Sequence, residues 1–332
     1  MPRGADIVAA GEGKPQPGLA WSWDGALLGA AYALPAAIIA TGDPARGIAL
    51  SVGVLPAAIV GLAPRRRGRL MVVVLGVLTG VPMLIGGLLA GVPVLAVAAI
   101  GALGVGAALL AARVPVGRVA MVLSLPMVGI GLSYSDVGKA AGLAGLMVAG
   151  SIFACAVSML WPERQAPAAA KEVEAPPTLG YGLRLGAAGA SAAAIGFALG
   201  LEHVGWATAA ALLVMRPAPE MQRLRSAGRI VAVAVGAVGA ILLVHADPAD
   251  VWFAFAALLA IAAAAATRAG RWYVTPAFTT FLVFLLLLYG DPQDSASRFN
   301  ERLWETVLGV GLAYLFGLVL PALEARRGFA SD

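Results

Sequence analysis

The residues most able to do chemistry in this sequence are charged groups that interrupt long apolar runs. Glu305 lies a few residues inside the last apolar run, and it shares a helix face with Arg298, Glu301 and Arg302 at spacings of three and four. An ionisable group inside such a run is costly in lipid and is a functional candidate by default. A carboxyl group there could load and release a proton. The alternative is a ladder of ion pairs that anchors the outer end of the helix.

The seventh and eighth apolar runs carry groups that could hold an organic acid. Arg184 lies inside the seventh run, and a guanidinium pairs bidentately with a carboxylate; the alternative is snorkelling to the membrane surface. His203 and Trp206 open the eighth run, where one could act by charge and the other by stacking. A place in an interfacial belt is the alternative for Trp206. Arg216 closes this run, either as an anion ligand or as an inner anchor.

Two prolines predict backbone carbonyl groups that lack helical partners. Pro126 and Pro276 fall in the fifth apolar run of each half of the chain. Freed carbonyl groups at such points could line a cavity, together with the neighbouring hydroxyls of Thr279 and Thr280. The alternative is a simple kink in each helix.

The sequence lacks the common signals of enzymatic chemistry. His203 and His245 are its only histidines, and neither a His-Glu-x-x-His nor a Gly-x-Ser-x-Gly motif occurs. The single cysteine, Cys155, lies inside an apolar run and is typical of a small buried hydrophobe. We therefore predict no enzyme activity, no cofactor and no metal site.

The elements that position these residues follow from composition. The chain has 332 residues, of which 60% are hydrophobic and 12% charged, with a mean hydropathy of +0.88. A soluble domain carries about 25% charged residues. These values predict an all-α, polytopic membrane protein of about twelve transmembrane helices. The predicted spans are 23–41, 47–63, 69–89, 92–112, 118–134, 140–161, 180–200, 203–216, 229–245, 250–266, 273–289 and 302–321.

Basic residues predict the orientation of the chain. Most of the 23 Lys and Arg residues fall in every second loop, among them Arg69 and Arg229, which we place at the cytoplasmic ends of spans. Both termini are therefore predicted to be cytoplasmic, in a bacterial inner membrane, with the first span acting as the address. The net charge of +5 reflects this topology, so we expect the lipid bilayer and a small organic anion as partners, and no nucleic acid. A homo-oligomer remains open.

An internal repeat is indicated by glycines and Gly-Arg pairs at offsets of about 160 residues. The matches predict two parallel six-helix repeats, 23–162 and 179–322, joined by a cytoplasmic linker, 163–178, and flanked by cytoplasmic tails, 1–22 and 323–332. Leu27 aligns with Arg184, and Leu146 with Glu305, so the polar chemistry is predicted to lie in the second half. The matched pairs are Gly25 with Gly182, Gly29 with Gly186, Gly68-Arg69 with Gly228-Arg229, Gly76 with Gly236, Gly117-Arg118 with Gly270-Arg271, Gly150 with Gly309, and Pro162 with Pro321.

The second span of each half is unusual. The uncharged run 204–215 covers about 18 Å as a helix, against a bilayer core of about 30 Å. The matching span of the first half carries Pro56 at its centre. Short or Pro-broken spans at corresponding places are a sequence pointer to a transport site. A tilted helix that only packs is the alternative.

A family resemblance is carried by the second half. The stretch HVGWATAAALLVMRPAPEMQRLRSAGRIVAVAVGAVGA places Trp206 in a short span before Arg216, and then opens a Gly-rich span with Gly228-Arg229. This pattern resembles the fusaric acid resistance protein-like family, which includes aromatic acid exporters. Residues 180–322 fit best, and 20–162 fit weakly. The closing segment of the family pattern is matched by Arg271, Thr279 or Thr280, Arg302, Glu305-Thr306 and Gly309.

The resemblance implies proton-coupled efflux of organic, often aromatic, carboxylates. Distant similarity to plant aluminium-activated malate channels keeps a passive organic-anion channel as an alternative. A non-transporting membrane assembly protein is a second alternative. A major-facilitator transporter is disfavoured, because the basic loop PRRRGRL lacks the Asp-Arg of that motif. In the preferred hypothesis Arg184 or Arg302 holds the carboxylate, Trp206 stacks on the ring and Glu305 couples protons.

Overall fold

A computed structural model describes residues 20–163, 176–269, 274–289 and 295–329 of the chain. Within these ranges the protein is entirely helical, and short π-helical stretches occupy Ala120–Ser124 and Leu315–Val319. The α-helices are α1 Trp23–Ala40, α2 Pro44–Val60, α3 Arg66–Arg69, α4 Met71–Leu89, α5 Pro93–Arg113, α6 Pro115–Val119, α7 Leu125–Gly131, α8 Val137–Leu160, α9 Leu179–Ala198, α10 Val204–Val214, α11 Pro219–His245, α12 Asp250–Ala266, α13 Val274–Leu288, α14 Ser295–Tyr314 and α15 Leu320–Phe329.

Helical segments occupy all twelve predicted spans. Among the described residues, six helical stretches are long and apolar enough to cross a membrane, and five shorter apolar helices accompany them. Large apolar side chains such as Leu88, Leu160 and Trp304 point outwards and are exposed. An outer surface of this kind suits lipid rather than water. The chain is therefore a multi-pass membrane protein, while the count of twelve crossings and the two repeats stay predictions.

The predicted tails and linker fall largely outside the described residues. The structure does not describe residues 1–19, which are most of the N-terminal tail, or residues 164–175, which are most of the linker. Arg271 also lies outside the described residues. Residues 323–329 of the predicted C-terminal tail belong to helix α15.

Glycines allow the helices to approach closely, as expected where lipid leaves packing to dispersion. A Cβ atom added at Gly29 would meet the backbone of α12, and one added at Gly186 would meet the backbone of α5. The first helix of each half thus packs on the fourth helix of the other half. In the same way Gly150 brings α8 onto α2, and Gly309 brings α14 onto α10. Each contact made by one half thus has a counterpart in the other half. A rotation axis that related the two halves would produce this pattern.

The three prolines affect their spans differently. Helix α2 continues through Pro56 to Val60, and Pro276 lies in the first turn of α13, where an N–H has no helical acceptor and proline fits without loss. Pro126 follows directly after the π-helical stretch Ala120–Ser124, so the regular α-helical hydrogen bonds are interrupted in that span. A complete break is found at none of the three prolines.

Candidate functional site

Helix α10 is a short helix enclosed by the protein. Ten of its eleven residues are buried, and it packs against α7, α9 and α14. Gly205 lies directly against the backbone of α7, and its N–H donates to the Ser133 hydroxyl at 3.1 Å. The tight fit places Trp206 inside the bundle, where its exposed fraction is only 4%. A belt position at the lipid interface does not describe this residue.

Arg302 of α14 lies over the ring of Trp206. The guanidinium carbon is 3.4 Å from the ring centroid, a cation–π arrangement. The side chain is 5% exposed, and its Nε and Nη1 atoms are enclosed without a hydrogen-bond partner. Its electrostatic neighbours are Arg229, Glu305, Tyr134 and Glu301. A buried guanidinium with open donors is suited to accept an anion.

Glu305 follows Arg302 by three residues and is still more enclosed. Its exposed fraction is 2%, and both carboxyl oxygens are buried without a hydrogen-bond partner. No described residue forms an ion pair with it. Burying an ionised carboxyl group without partners is very costly. A change in its surroundings would therefore change whether the group favours binding or releasing a proton.

Two ion pairs cover this cluster on the predicted outer side. Arg298 Nη1 lies 2.6 Å from Glu202 Oε1, and His203 Nδ1 lies 3.5 Å from Glu301 Oε2. Both pairs join α14 to the segment before α10, so the charged face of α14 makes contacts across the bundle. The cavity that remains is only about 10 Å³, close to the space of one water molecule. The site is closed, and an organic anion needs movement to enter.

Three side chains on this outer side are close enough together to act as metal ligands. Ligand atoms of Glu202, His203 and Glu301 lie within 4.8 Å of one another. However, Arg298 pairs with Glu202, and Arg302 lines the same cavity. These positive charges oppose a bound cation, so we assign no metal here.

Four predicted site residues do not line the cavity. Arg184 lies 3.8 Å from Glu324. Thr279 donates to the carbonyl of Pro276 at 3.0 Å, and Thr280 is buried beside Gly236. The fourth residue, Arg216, lies beyond the far end of α10. The structure therefore brings together only half of the predicted set, namely His203, Trp206, Arg302 and Glu305.

Arg216 belongs to a second polar cluster at the predicted inner end of α10. Its Nη1 donates to the carbonyl of Met215 at 2.6 Å, and the Tyr181 hydroxyl donates to the same oxygen at 3.3 Å. The buried amide of Gln222 donates to the carbonyl of Ala313 at 2.6 Å. About 16 Å of helix separates this cluster from the start of α10.

Arg229 is a buried residue that sequence reasoning assigned to a cytoplasmic flank. It is 8% exposed, its Nε is enclosed, and it has neither a hydrogen bond nor an ion pair with any described residue. It lies about 15 Å along α11 from Pro219. The repeated Gly-Arg pair is the sequence signal that could indicate a special position for this arginine. The polar residues at the start of α11 instead favoured its assignment to the loop that flanks the span.

Comparison with known proteins places this cluster in a recognised segment. Residues 191–316 match the model of the family described as fusaric acid resistance protein-like. Searches of curated proteins and of solved structures returned no match to the chain. The resemblance is thus confirmed for this segment, which contains α10, α14 and every residue of the closed cluster. The match points to a membrane function of transport or resistance type.

Proposed function

We propose that this protein exports organic anions of the aromatic carboxylate type, coupled to protons, across a bacterial inner membrane. The observation that carries the proposal is the Arg302 guanidinium stacked on Trp206 beside Glu305, whose carboxyl group has no hydrogen bond or ion pair with a described residue. An ionisable group inside the membrane that is costly to bury is a functional candidate. The family match over the same residues supports transport as that function.

Substrate recognition would combine charge and stacking. The open donors of Arg302 would bind the carboxylate of the substrate, and the face of Trp206 opposite Arg302 would pack against its ring. His203, whose ring centroid is 6.2 Å from that of Trp206, would border the ring on the outer side. Because the site is closed to water, each of these contacts would be stronger than in solution.

Proton coupling would follow from competition for one guanidinium. When Glu305 is ionised, it competes with the substrate carboxylate for Arg302; when it is neutral, the competition ends. Proton binding and anion binding are thereby linked energetically, as reciprocal coupling requires. The other charged groups facing Glu305 are Glu301 and Glu202. Both lie nearer the surface and belong to the outer ion pairs.

Alternating access would come from rocking of two six-helix repeats. The interlocked pairs, α1 with α12 and α5 with α9, would hold the repeats together while the surfaces around α10 and α2 move. Opening would separate Arg298 from Glu202 and His203 from Glu301. Both termini would lie in the cytoplasm, as the basic loops suggest.

A passive anion channel is the second candidate. It is favoured by two buried arginines, Arg302 and Arg229, that are electrostatic neighbours in one bundle. Rings of arginine suit anion-selective pores. A channel would conduct without a proton gradient.

The test is transport by the purified protein in liposomes. We would measure uptake of labelled 4-hydroxybenzoate with a pH gradient imposed in each direction, and without one. Glu305→Gln is expected to abolish the dependence on the gradient, with flux reduced at least tenfold. Glu220→Gln makes the same chemical change at an exposed residue of α11 and should leave flux unchanged.

The other outcomes separate the alternatives. Flux that ignores the gradient in the unmodified protein would establish the channel. Absence of flux for this and other small carboxylates would overturn organic-anion transport and favour an assembly protein without cargo.

A further inference from the structure

Arg69 and Arg229 occupy matching places in the two halves but have different surroundings. Arg69 is fully buried, and its guanidinium donates to the carbonyl groups of Ala63 at 3.2 Å, Trp161 at 2.7 Å and Pro162 at 2.9 Å, and to that of Ser158. Three of these acceptors lie at or just after the end of α8 at Leu160, where carbonyl groups lack helical partners or share them, and Ala63 lies between α2 and α3. Arg69 is thus used to complete a helix end.

The second half offers Arg229 no such acceptors. Helix α14 does not end at the matching place but continues through the π-helical stretch into α15, so its carbonyl groups remain within a helix. The carbonyl of Ala313, just before that stretch, is taken by Gln222. Arg229 is therefore left buried, with no hydrogen bond or ion pair to a described residue.

The fully buried charges of the site then have an excess of positive charge, while Glu301, another neighbour of Arg302, pairs with His203 at the outer rim. Arg229 and Arg302 lie on the packed helices α11 and α14, both are more than nine-tenths buried, and each repels the charge of the other. Glu305 is the buried carboxyl group beside them. Buried charges without partners are costly, so two guanidinium groups and one carboxyl group favour binding of further negative charge.

We propose that Arg229 is a second anion-binding residue, and that the preferred substrate is an aromatic dicarboxylate. One acidic group of the ligand binds Arg302, its ring packs on Trp206, and the other acidic group binds Arg229. This inference rests on the proposed function, because it assumes that the cluster around Arg302 holds an organic anion. To the proposed function it adds a second acidic group on the ligand and a second binding residue, which lies on α11.

The test compares two ligands that differ by one acidic group. Binding of terephthalate and of benzoate to the full chain in detergent is measured by titration calorimetry. We expect terephthalate to bind at least tenfold more tightly than benzoate. Arg229→Gln should weaken terephthalate at least tenfold and benzoate less than threefold, whereas Arg302→Gln should weaken both. Arg223→Gln, at an exposed residue of the same helix, should change neither.

Two further results bear on the inference. Arg229→Lys keeps the charge, so it should keep most of the preference for terephthalate even if the glutamine variant fails to fold. Equal weakening of both ligands by Arg229→Gln, or no weakening of either, would overturn the role of Arg229 while leaving the proposed function in place. If the unmodified chain binds neither these acids nor other organic anions, the proposed function itself fails.

Discussion

The two halves of this protein treat a buried arginine in opposite ways. Arg69 in the first half is held by carbonyl groups at the end of α8, whereas Arg229 in the second half makes no hydrogen bond or ion pair to the described residues. The predicted repeat aligns Leu146 with Glu305 and Leu27 with Arg184, so it places these polar groups in the second half only.

The two arginines therefore indicate different roles for the two halves, with the first supporting the fold and the second containing the candidate site. In the first half the buried cation Arg69 donates to backbone carbonyl groups and so stabilises the fold. In the second half Arg229 has no hydrogen bond or ion pair to a described residue, which lowers stability. The pairs α1 with α12 and α5 with α9 pack the first half against the second.

The largest effect is expected from breaking the arginine that the fold uses. Arg69→Gln leaves several carbonyl groups without their donor, and each charged hydrogen bond contributes about 1.5–3 kcal/mol, so we expect a loss of at least about 3 kcal/mol in the free energy of unfolding. Arg229→Gln loses no such bond and removes a buried charge, so it should leave the free energy of unfolding unchanged or raise it. Denaturant unfolding in detergent micelles measures both. Equal losses would remove the distinction between the halves.

Glycines that the repeat matches should be equally sensitive. A Cβ atom at Gly150 would meet the backbone of α2 at Gly53, and one at Gly309 would meet the backbone of α10 at Ala207. Overpacking of this kind costs about 1–3 kcal/mol, so Gly150→Ala and Gly309→Ala should each lower the melting temperature by a similar amount. Gly142→Ala, where a Cβ atom has open space, is the control. Sensitivity at only one of the two glycines would count against the repeat.

An intermediate effect is expected at the inner end of the second half. Gln222 aligns with Leu62 at the offset of the Gly-Arg pairs, so Gln222→Leu installs the residue of the first half. The substitution removes the hydrogen bond to Ala313 and should cost about 1–2 kcal/mol by thermal unfolding. The reverse change, Leu62→Gln, should not stabilise the protein. A neutral result for Gln222→Leu would show that the π-helical stretch needs no external donor.

The smallest effect is expected from the outer ion pairs. Glu202 is more than half exposed in its pair with Arg298, and Arg46 is largely exposed in its pair with Asp43. Surface pairs contribute about 1 kcal/mol or less, so Glu202→Gln and Arg46→Gln should both lie within that range. Their effects should shrink further in high salt. A larger loss for Glu202→Gln alone would indicate that the outer closure supports the fold of the second half.

Much of the architecture was predictable from local properties of the sequence. The length and hydrophobicity of each run predicted where helices lie, and the short run around Trp206 predicted the short helix α10. Half of the candidate site was predicted as well, because His203 and Trp206 are neighbours in sequence and Arg302 and Glu305 share a helix face.

The sequence by itself thus determined the membrane class, the positions of the helices and the residues able to carry charge into the bundle. Tertiary structure alone decided which charges have partners. Arg69 and Arg229 have the same local signature, but one faces a helix that ends and the other a helix that continues. The tertiary structure likewise places Arg184 beside Glu324 and outside the cavity, which its local sequence did not indicate. Hydrophobicity is a local property, whereas satisfying a buried charge depends on which distant backbone or side chain comes within hydrogen-bonding distance.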